Sequence, residues 1–246
     1  MSQPPRDLLL TIVMPAYREA RALEMFLPSL FAEAARLTPS FEVLVVDTMQ
    51  PVDDTQAVAE AAGARHIFRS GGNFYGDAVR TGIASARGEF LLFMDGDGSH
   101  NPCDMQKLWS RRSEFDIVIG SRYVSGGHTE NPAILIWMSR AINYVYRIVF
   151  GLKVKDVSNS FRLYRGEQLS TLTLESNDFD IVEEILLRLV FGQQRATVTE
   201  VPVTFEQRKA GESKRNLKKF ALSYISSIRK MRHFRRSEQQ KLKGRS

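Results

Sequence analysis

Through the first half of the chain, apolar runs that scarcely alternate each end in a polar turn: LLLTIVM (8–14), FEVLVVD (41–47), ARHIF (64–68), EFLLFMD (89–95) and FDIVIGS (115–121). Runs of this kind predict buried strands of a parallel sheet. Helix-like segments lie between them, over about 20–36, 55–62, 76–86 and 102–112. Strand and helix in alternation predict an α/β protein with a mainly parallel sheet flanked by helices. No internal repeat or low-complexity segment interrupts that rhythm.

The second half departs from it. Asn131 and Pro132 read as N-cap and first residue of a helix that runs to about Phe150 and is closed by Gly151. Arg140, Asn143 and Arg147 lie three and four apart there, a polar stripe on an otherwise apolar cylinder. Nineteen mostly apolar residues raise the question of a membrane span, which two arginines and an asparagine make expensive. Two readings stand: a core helix with a polar edge, or an interfacial helix facing lipid headgroups. A second amphipathic helix is predicted from about Lys214, with Leu217, Phe220, Tyr224, Ile228 and Met231 at helical spacing. Lys218, Lys219, Arg229, Lys230, Arg232 and Arg236 surround that stripe. This helix either lies on anionic lipid or packs on the domain, with a disordered end after Ser237.

Composition narrows the class. The 246 residues, 43 % hydrophobic and 25 % charged, suit one domain over 1–213 with an appendage over 214–246. Cys103 alone excludes an internal disulfide framework and suits a reducing compartment. Leu8 to Met14 is too short for a secretory signal and runs into Pro15, so it is a strand. The net charge of +6 is unevenly spread: residues 214–246 hold twelve Lys or Arg and one acid, hence +11, and the rest carries −5. The basic character belongs to the tail. It points to an anionic surface rather than to nucleic-acid binding by the globular part.

The chemistry gathers where strands end. In LLFMDGDGSHNP (91–102), Asp95 and Asp97 emerge at the rim of the sheet, with Gly96 between them for a sharp turn, so both carboxylates can address one cation. An EF-hand loop is excluded, because its sixth and twelfth positions would be His100 and Gln106. Mg²⁺ or Mn²⁺ is the cation that two carboxylates, water and substrate phosphates hold, with Ser99 a further oxygen. His100 has no partner at metal-ligand spacing and is read as a structural or substrate contact. MPAYREA follows the first strand, where Tyr17 and Glu19 either meet a nucleotide or serve as helix-entry residues, and Asp47 offers a carboxylate to ribose hydroxyls. GGNFYGDAVRTG (71–82) allows close backbone approach but fits neither a Walker nor a dinucleotide spacing. Arg122 in GSRYVSGG brings a fork suited to diphosphate. Arg208, Ser213 and Lys214 around a glycine read either as a basic loop able to close over phosphates or as a solvated loop.

With these residues gathered, the chain resembles the family-2 glycosyltransferases, and among them the polyprenol-phosphate (dolichol-phosphate) mannosyl- and glucosyltransferases. The matching stretches are IVMPAYREA, VLVVD, GDAVRTGIASARGEFLLFMDGDGSHNP, IVIGSRYVSGG, SRAINYVYRIVFGLKVKDVSNSFRLY, FDIVEEILLR and EVPVTFEQRKAGESK, in the family's order over most of residues 10–215. The resemblance implies a GT-A, Rossmann-like fold that inverts the anomeric carbon. It makes Asp95 and Asp97 the D-x-D pair for metal and donor diphosphate, and sets Pro15, Tyr17, Glu19, Asp47 and Lys214 along the nucleotide-sugar. Asp97, Arg122 and Arg208 become the catalytic set, and Arg122, Ser139 and Arg140 the acceptor-phosphate set. The implied reaction moves a hexose from a nucleoside-diphosphate sugar, GDP-mannose or UDP-glucose in type, to a polyprenyl phosphate. The implied location is peripheral, on the cytoplasmic face of a membrane, held by the amphipathic helices or by a separate membrane subunit, with no nucleic acid as partner.

Three positions depart from the family pattern: Thr48 in place of a second aspartate, Leu135-Ile136-Trp137 in place of an arginine pair, and SNSFR (158–162) in place of a TSGFR-like stretch. Two other readings follow. A glycan or lipid-hydroxyl acceptor would need a general base, for which Asp180, Glu183 and Glu184 of FDIVEE are the candidates. A non-catalytic module would bind nucleotide-sugar or lipid without turnover.

Overall fold

The computed structural model describes residues 6–207 and 217–243. It opens with β1 (Leu8–Pro15), α1 (Ala20–Leu37), β2 (Phe41–Asp47), α2 (Thr55–Ala61), β3 (Arg65–Phe68), α3 (Tyr75–Ser85) and β4 (Gly88–Phe93). A 3₁₀ turn (Pro102–Asp104) leads into α4 (Met105–Trp109), then β5 (Ile117–Ser121), β6 (His128–Thr129) and α5 (Ala133–Phe150). The chain continues through β7 (Arg162–Arg165), α6 (Gly166–Ser170), α7 (Ile181–Phe191), β8 (Val198–Pro202), β9 (Thr204–Phe205) and α8 (Leu217–Lys243).

Seven strands form one sheet in the order β3-β2-β1-β4-β7-β5-β8, parallel except for β7, which runs antiparallel to both β4 and β5. The expected α/β architecture is thus observed, with one reversed strand inserted. Alternate residues of the central strands feed two cores. Leu10, Ile12 and Met14 of β1 with Leu92 of β4 face the layer of α1 and α4. Val13, Leu91 and Phe93 face the layer that contains α3, α5 and α7. The chain passes β1, β2, β3 in one direction and then returns to the other side of β1 with β4, so the crevice for a ligand opens at the C-terminal ends of β1 and β4.

Several boundaries differ from expectation. The segment predicted as a helix over 102–112 is a 3₁₀ turn and a five-residue helix, after which turn hydrogen bonds such as Arg111 N–H to Leu108 O take over. Pro132 is the N-cap of α5 rather than its first residue. Its ψ of 145° is extended, and its carbonyl accepts from Leu135 and Ile136. Gly151 closes α5 in the left-handed region, as predicted, at φ 65°. α8 is helical to Lys243, past the Ser237 where a disordered end was expected.

The two predicted amphipathic helices pack together. Tyr224, Ser227 and Met231 of α8 are buried, Tyr224 and Met231 within the α7-side core. Tyr146 Oη of α5 lies 3.2 Å from Ser227 Oγ, Lys230 Nζ is 2.9 Å from Glu175, and Arg235 lies over the Phe191 ring at 4.5 Å. The polar stripe of α5 turns partly inward: Asn143 is buried and joins Asp156 and the Val157 N–H. The opposite face is the apolar one, with Ile134, Trp137, Tyr144 and Ile148 each more than 60 % exposed.

Candidate active site

The crevice is floored by the turn after β4. Asp97 Oδ1 accepts from the Ser99 N–H at 3.0 Å and from Ser99 Oγ at 2.6 Å, a closed Asx turn. The left-handed residue that permits the turn is Gly98, φ 72°, and not Gly96 as expected. Gly96 instead allows close approach: a Cβ there would stand 3.3 Å from the Pro15 carbonyl oxygen and 3.6 Å from Glu19 Cγ. This puts Pro15 and Glu19 directly beside the Asp95–Asp97 turn. Ser99 is wholly buried with its hydroxyl on Asp97, so it orients that carboxylate rather than standing open as a ligand.

Asp95 is held by residues far from it in the chain. Ser160 Oγ donates to Asp95 Oδ1 at 3.0 Å, and Tyr75 Oη lies 3.4 Å from the same oxygen. Ser160 reaches it because β7 is antiparallel, which puts the start of that strand at the rim where its neighbours end. Tyr75 is itself stacked on Phe179 at 4.3 Å. Among the described residues no group of three or more His, Cys, Asp and Glu forms a metal cluster. Two hard carboxylate donors on one turn fit a Mg²⁺ or Mn²⁺ that takes its remaining ligands from water and a diphosphate.

After β1, Tyr17 is 43 % exposed, and Arg18 beside it occupies the left-handed region at φ 58°, unusual for a non-glycine residue. Asp47 departs from its expected role. Its side chain is fully buried, with Oδ1 accepting from the Thr48 N–H at 2.7 Å and Oδ2 lying 3.3 Å from His66 Nε2, so it shapes the wall rather than facing ribose. Thr48, where the family carries a second aspartate, donates its hydroxyl to the Gln50 carbonyl at 2.6 Å. Arg69 was not anticipated at all. It is buried and donates to the carbonyls of Ala16, Asp47, Asn73 and Phe74, tying together the loops after β1, β2 and β3. Burial lowers its pKa below the usual arginine range, and Asp47 and Asp77 oppose that shift.

After β5 Arg122 is committed to Asp156: Nε lies 2.8 Å from Oδ2 and Nη2 2.8 Å from Oδ1, the two-bond pairing of a guanidinium with a carboxylate. Nη2 also reaches Ser139 Oγ at 3.1 Å and Ser158 Oγ at 3.0 Å. Burial disfavours the charges of Arg122 and Asp156, but each stabilises the other, so the arginine titrates above and the carboxyl below its ordinary range. Arg122 and Ser139 are thus brought together as expected, but the charge of Arg122 is already balanced. Arg140 is exposed with its guanidinium 5.4 Å from the Tyr123 ring centre. Arg208 and Lys214 lie outside the described residues.

The candidate bases are buried at the start of α7. Glu183 and Glu184 are wholly buried in α7, and Glu184 accepts from the N–H groups of Glu175 and Ser176 and from Arg188. Asp180, at the N-cap of α7, is also buried, and burial raises its pKa.

Comparison with known proteins identifies the family. The model of glycosyl transferase family 2 matches residues 11–172. An undecaprenyl-phosphate mannosyltransferase of Micrococcus luteus is 34 % identical over 84 % of this chain and 86 % of its own length. A polyprenol monophosphomannose synthase of Mycolicibacterium smegmatis is 29 % identical over 82 % and 79 %, and a dolichol-phosphate mannosyltransferase of Pyrococcus furiosus 32 % over 83 % and 58 %. In fold, the chain is similar to glucosyl-3-phosphoglycerate synthase of Mycobacterium tuberculosis, solved with Mn²⁺, UDP-glucose and phosphoglyceric acid, at a TM-score of 0.70 and 17 % identity over 92 % of this chain and 80 % of that one. With a mainly parallel sheet, an aspartate pair at its switch point and these relatives, the chain belongs to glycosyl transferase family 2 and is a glycosyltransferase of GT-A-like fold.

Proposed function

We propose that the protein transfers a hexose, mannose before glucose, from a nucleoside-diphosphate sugar to a polyprenyl phosphate at a membrane surface, with inversion at the anomeric carbon. The observation that carries this reading is the short stretch Ser158–Ser160, which joins the Asp95–Asp97 turn through Ser160 to the Arg122–Ser139–Ser158 cluster. The three relatives named above favour mannose and a polyprenyl phosphate acceptor.

A phosphate oxygen of the acceptor attacks the anomeric carbon, and the bond from that carbon to the donor's diphosphate breaks with its electron pair leaving on the nucleoside diphosphate. A lipid phosphate with second pKa about 6 is already an anion at neutral pH. No general base is required, which fits the inaccessibility of Glu183 and Glu184. Asp95 and Asp97 hold the donor side, fixed by Ser160, Tyr75 and Ser99. Ser139, Ser158 and Arg140 receive the acceptor phosphate, with Arg122 holding both serines in place. A Mg²⁺ or Mn²⁺ bound by the two aspartates would neutralise the departing diphosphate. Catalysis then rests on in-line positioning and electrostatics.

By length and composition α5 is a candidate to cross a membrane. Its hydrogen bonds through Asn143 and Tyr146 to the globular body favour an interfacial orientation, with Ile134, Trp137, Tyr144 and Ile148 towards lipid. Use of a nucleotide sugar and a single cysteine favour the cytoplasmic face, with the basic α8 beside anionic headgroups. A separate membrane subunit is compatible with the same face.

The test is product analysis with a polyprenyl phosphate as sole acceptor and GDP-mannose or UDP-glucose as labelled donor, with Mn²⁺ or Mg²⁺. Label is expected in an acid-labile, base-stable lipid fraction. Turnover with glycan or lipid-alcohol acceptors and none with lipid phosphate would overturn the acceptor assignment.

A further inference from the structure

His100 lies outside the machinery described so far, and its surroundings give it a defined task. The Asp95 backbone N–H donates to His100 Nδ1 at 3.1 Å, so this nitrogen is the acceptor and the ring proton is on Nε2. Nε2 lies 3.2 Å from Asn159 Oδ1. The orientation of the Asn159 amide is set independently, because its Nδ2 donates to the Gly120 carbonyl at 2.6 Å. Two separate constraints therefore agree on one neutral tautomer: an acceptor towards Asp95 and a donor towards Asn159. The ring plane is fixed as well, stacked on Phe161 at 4.9 Å and meeting Phe205 edge-on at 5.2 Å. His100 is itself buried.

We propose that His100 is a positioning residue that fixes the backbone of the D-x-D turn and ties it to the acceptor side of the crevice. The tie runs from the Asp95 N–H through the imidazole and the Asn159 amide to the carbonyl of Gly120, two residues before Arg122. A second branch runs through Phe205, whose ring touches His100 on one side and lies 5.5 Å from the Arg122 guanidinium on the other. Asp95 is held at its carboxylate by Ser160 and at its backbone by His100. A hydrogen bond to the backbone of a metal-side residue acts on ligand geometry as outer-shell partners of metal sites do. Because Asn159 adjoins Ser160 and Ser158 in sequence, the same short stretch steadies both halves of the reaction.

This assignment rests on the donor-site reading above, and two measurements separate their failures. In the first, Mn²⁺ and GDP binding is followed by calorimetry and electron paramagnetic resonance, together with KM for the donor, in His100→Asn, His100→Gln and His100→Ala. The oxygen of an asparagine side chain falls where Nδ1 was and can accept from Asp95, whereas glutamine reaches only the Nε2 position. His100→Asn should stay within about threefold of the parent in Mn²⁺ affinity, while His100→Gln and His100→Ala should lose about tenfold or more, the scale of outer-shell losses. Equal losses in the Asn and Gln variants, or losses that follow melting temperature alone, overturn the proposal. The second measurement needs no variant: ¹⁵N resonances of His100 at neutral pH in the parent protein should show Nδ1 bare and Nε2 protonated. A protonated Nδ1 overturns the assignment. Failure of the parent to bind Mn²⁺ with GDP, with the tautomer as stated, instead overturns the donor-site reading.

Discussion

Replacing Glu183 by glutamine removes a carboxyl that the fold keeps wholly away from water. Burial raises this carboxyl from its ordinary 4.5 to about 8, with Asp180 adding to the shift and Arg162 and the Tyr224 hydroxyl opposing it. Between those two values the native state holds a proton that the unfolded chain has released. Stability from this group is therefore full below the unfolded value and is lost as pH rises through the folded one. At about 1.4 kcal/mol per pH unit, the full loss is about 5 kcal/mol, and the part falling between about pH 5 and pH 9 is about 4 kcal/mol. Glutamine carries no charge at either pH. Urea unfolding of parent and Glu183→Gln across that range should show the variant gaining on the parent by several kcal/mol as pH rises, while the other titrating groups cancel in the difference. A difference that does not change with pH would refute the reasoning, and would mean that water or a partner reaches the carboxylate.

Two further outcomes follow from the site and the surface. Asp97→Asn keeps the oxygen that accepts from Ser99, so the turn and the melting temperature should persist while transfer falls by about 100-fold or more; unchanged turnover would remove Asp97 from the mechanism. Trp137→Asp combined with Ile148→Asp alters side chains 75 % and 67 % exposed, so the fold should be unaffected. Partition onto phosphatidylglycerol vesicles should fall roughly 100-fold or more, at about 1.5–3 kcal/mol per large apolar group withdrawn from lipid. Undiminished vesicle binding would shift the contact to α8 or to residues outside the described part of the chain.

Much of the fold was legible because its signals are local. The strands LLLTIVM, FEVLVVD and EFLLFMD announce themselves by uninterrupted apolar residues, and an aspartate pair straight after such a run has to emerge at the rim of a sheet. The first three crevice elements therefore followed from the chain alone. β7 did not, because four residues, RLYR, carry no periodicity that distinguishes an antiparallel insertion from a loop. Ser160 consequently had no visible link to Asp95, 65 positions away. Asp156 was equally silent as the partner of Arg122, and that pairing changes the arginine from a free phosphate ligand to the support of two serines. Glu183 and Glu184 read as available bases only because a sequence does not say which face of α7 the core covers.

The kinds of element, most of their order, the basic tail and the aspartate pair are written locally, since apolar periodicity, charge and turn chemistry act within a few residues. That Asp47 faces inward, that Gly98 rather than Gly96 bears the turn, that His100 braces Asp95 and that α5 turns its apolar side outward came from packing. Each of these depends on contacts between segments far apart in the chain. Such contacts are selected by how the two cores close on the sheet, and no local pattern encodes that closure.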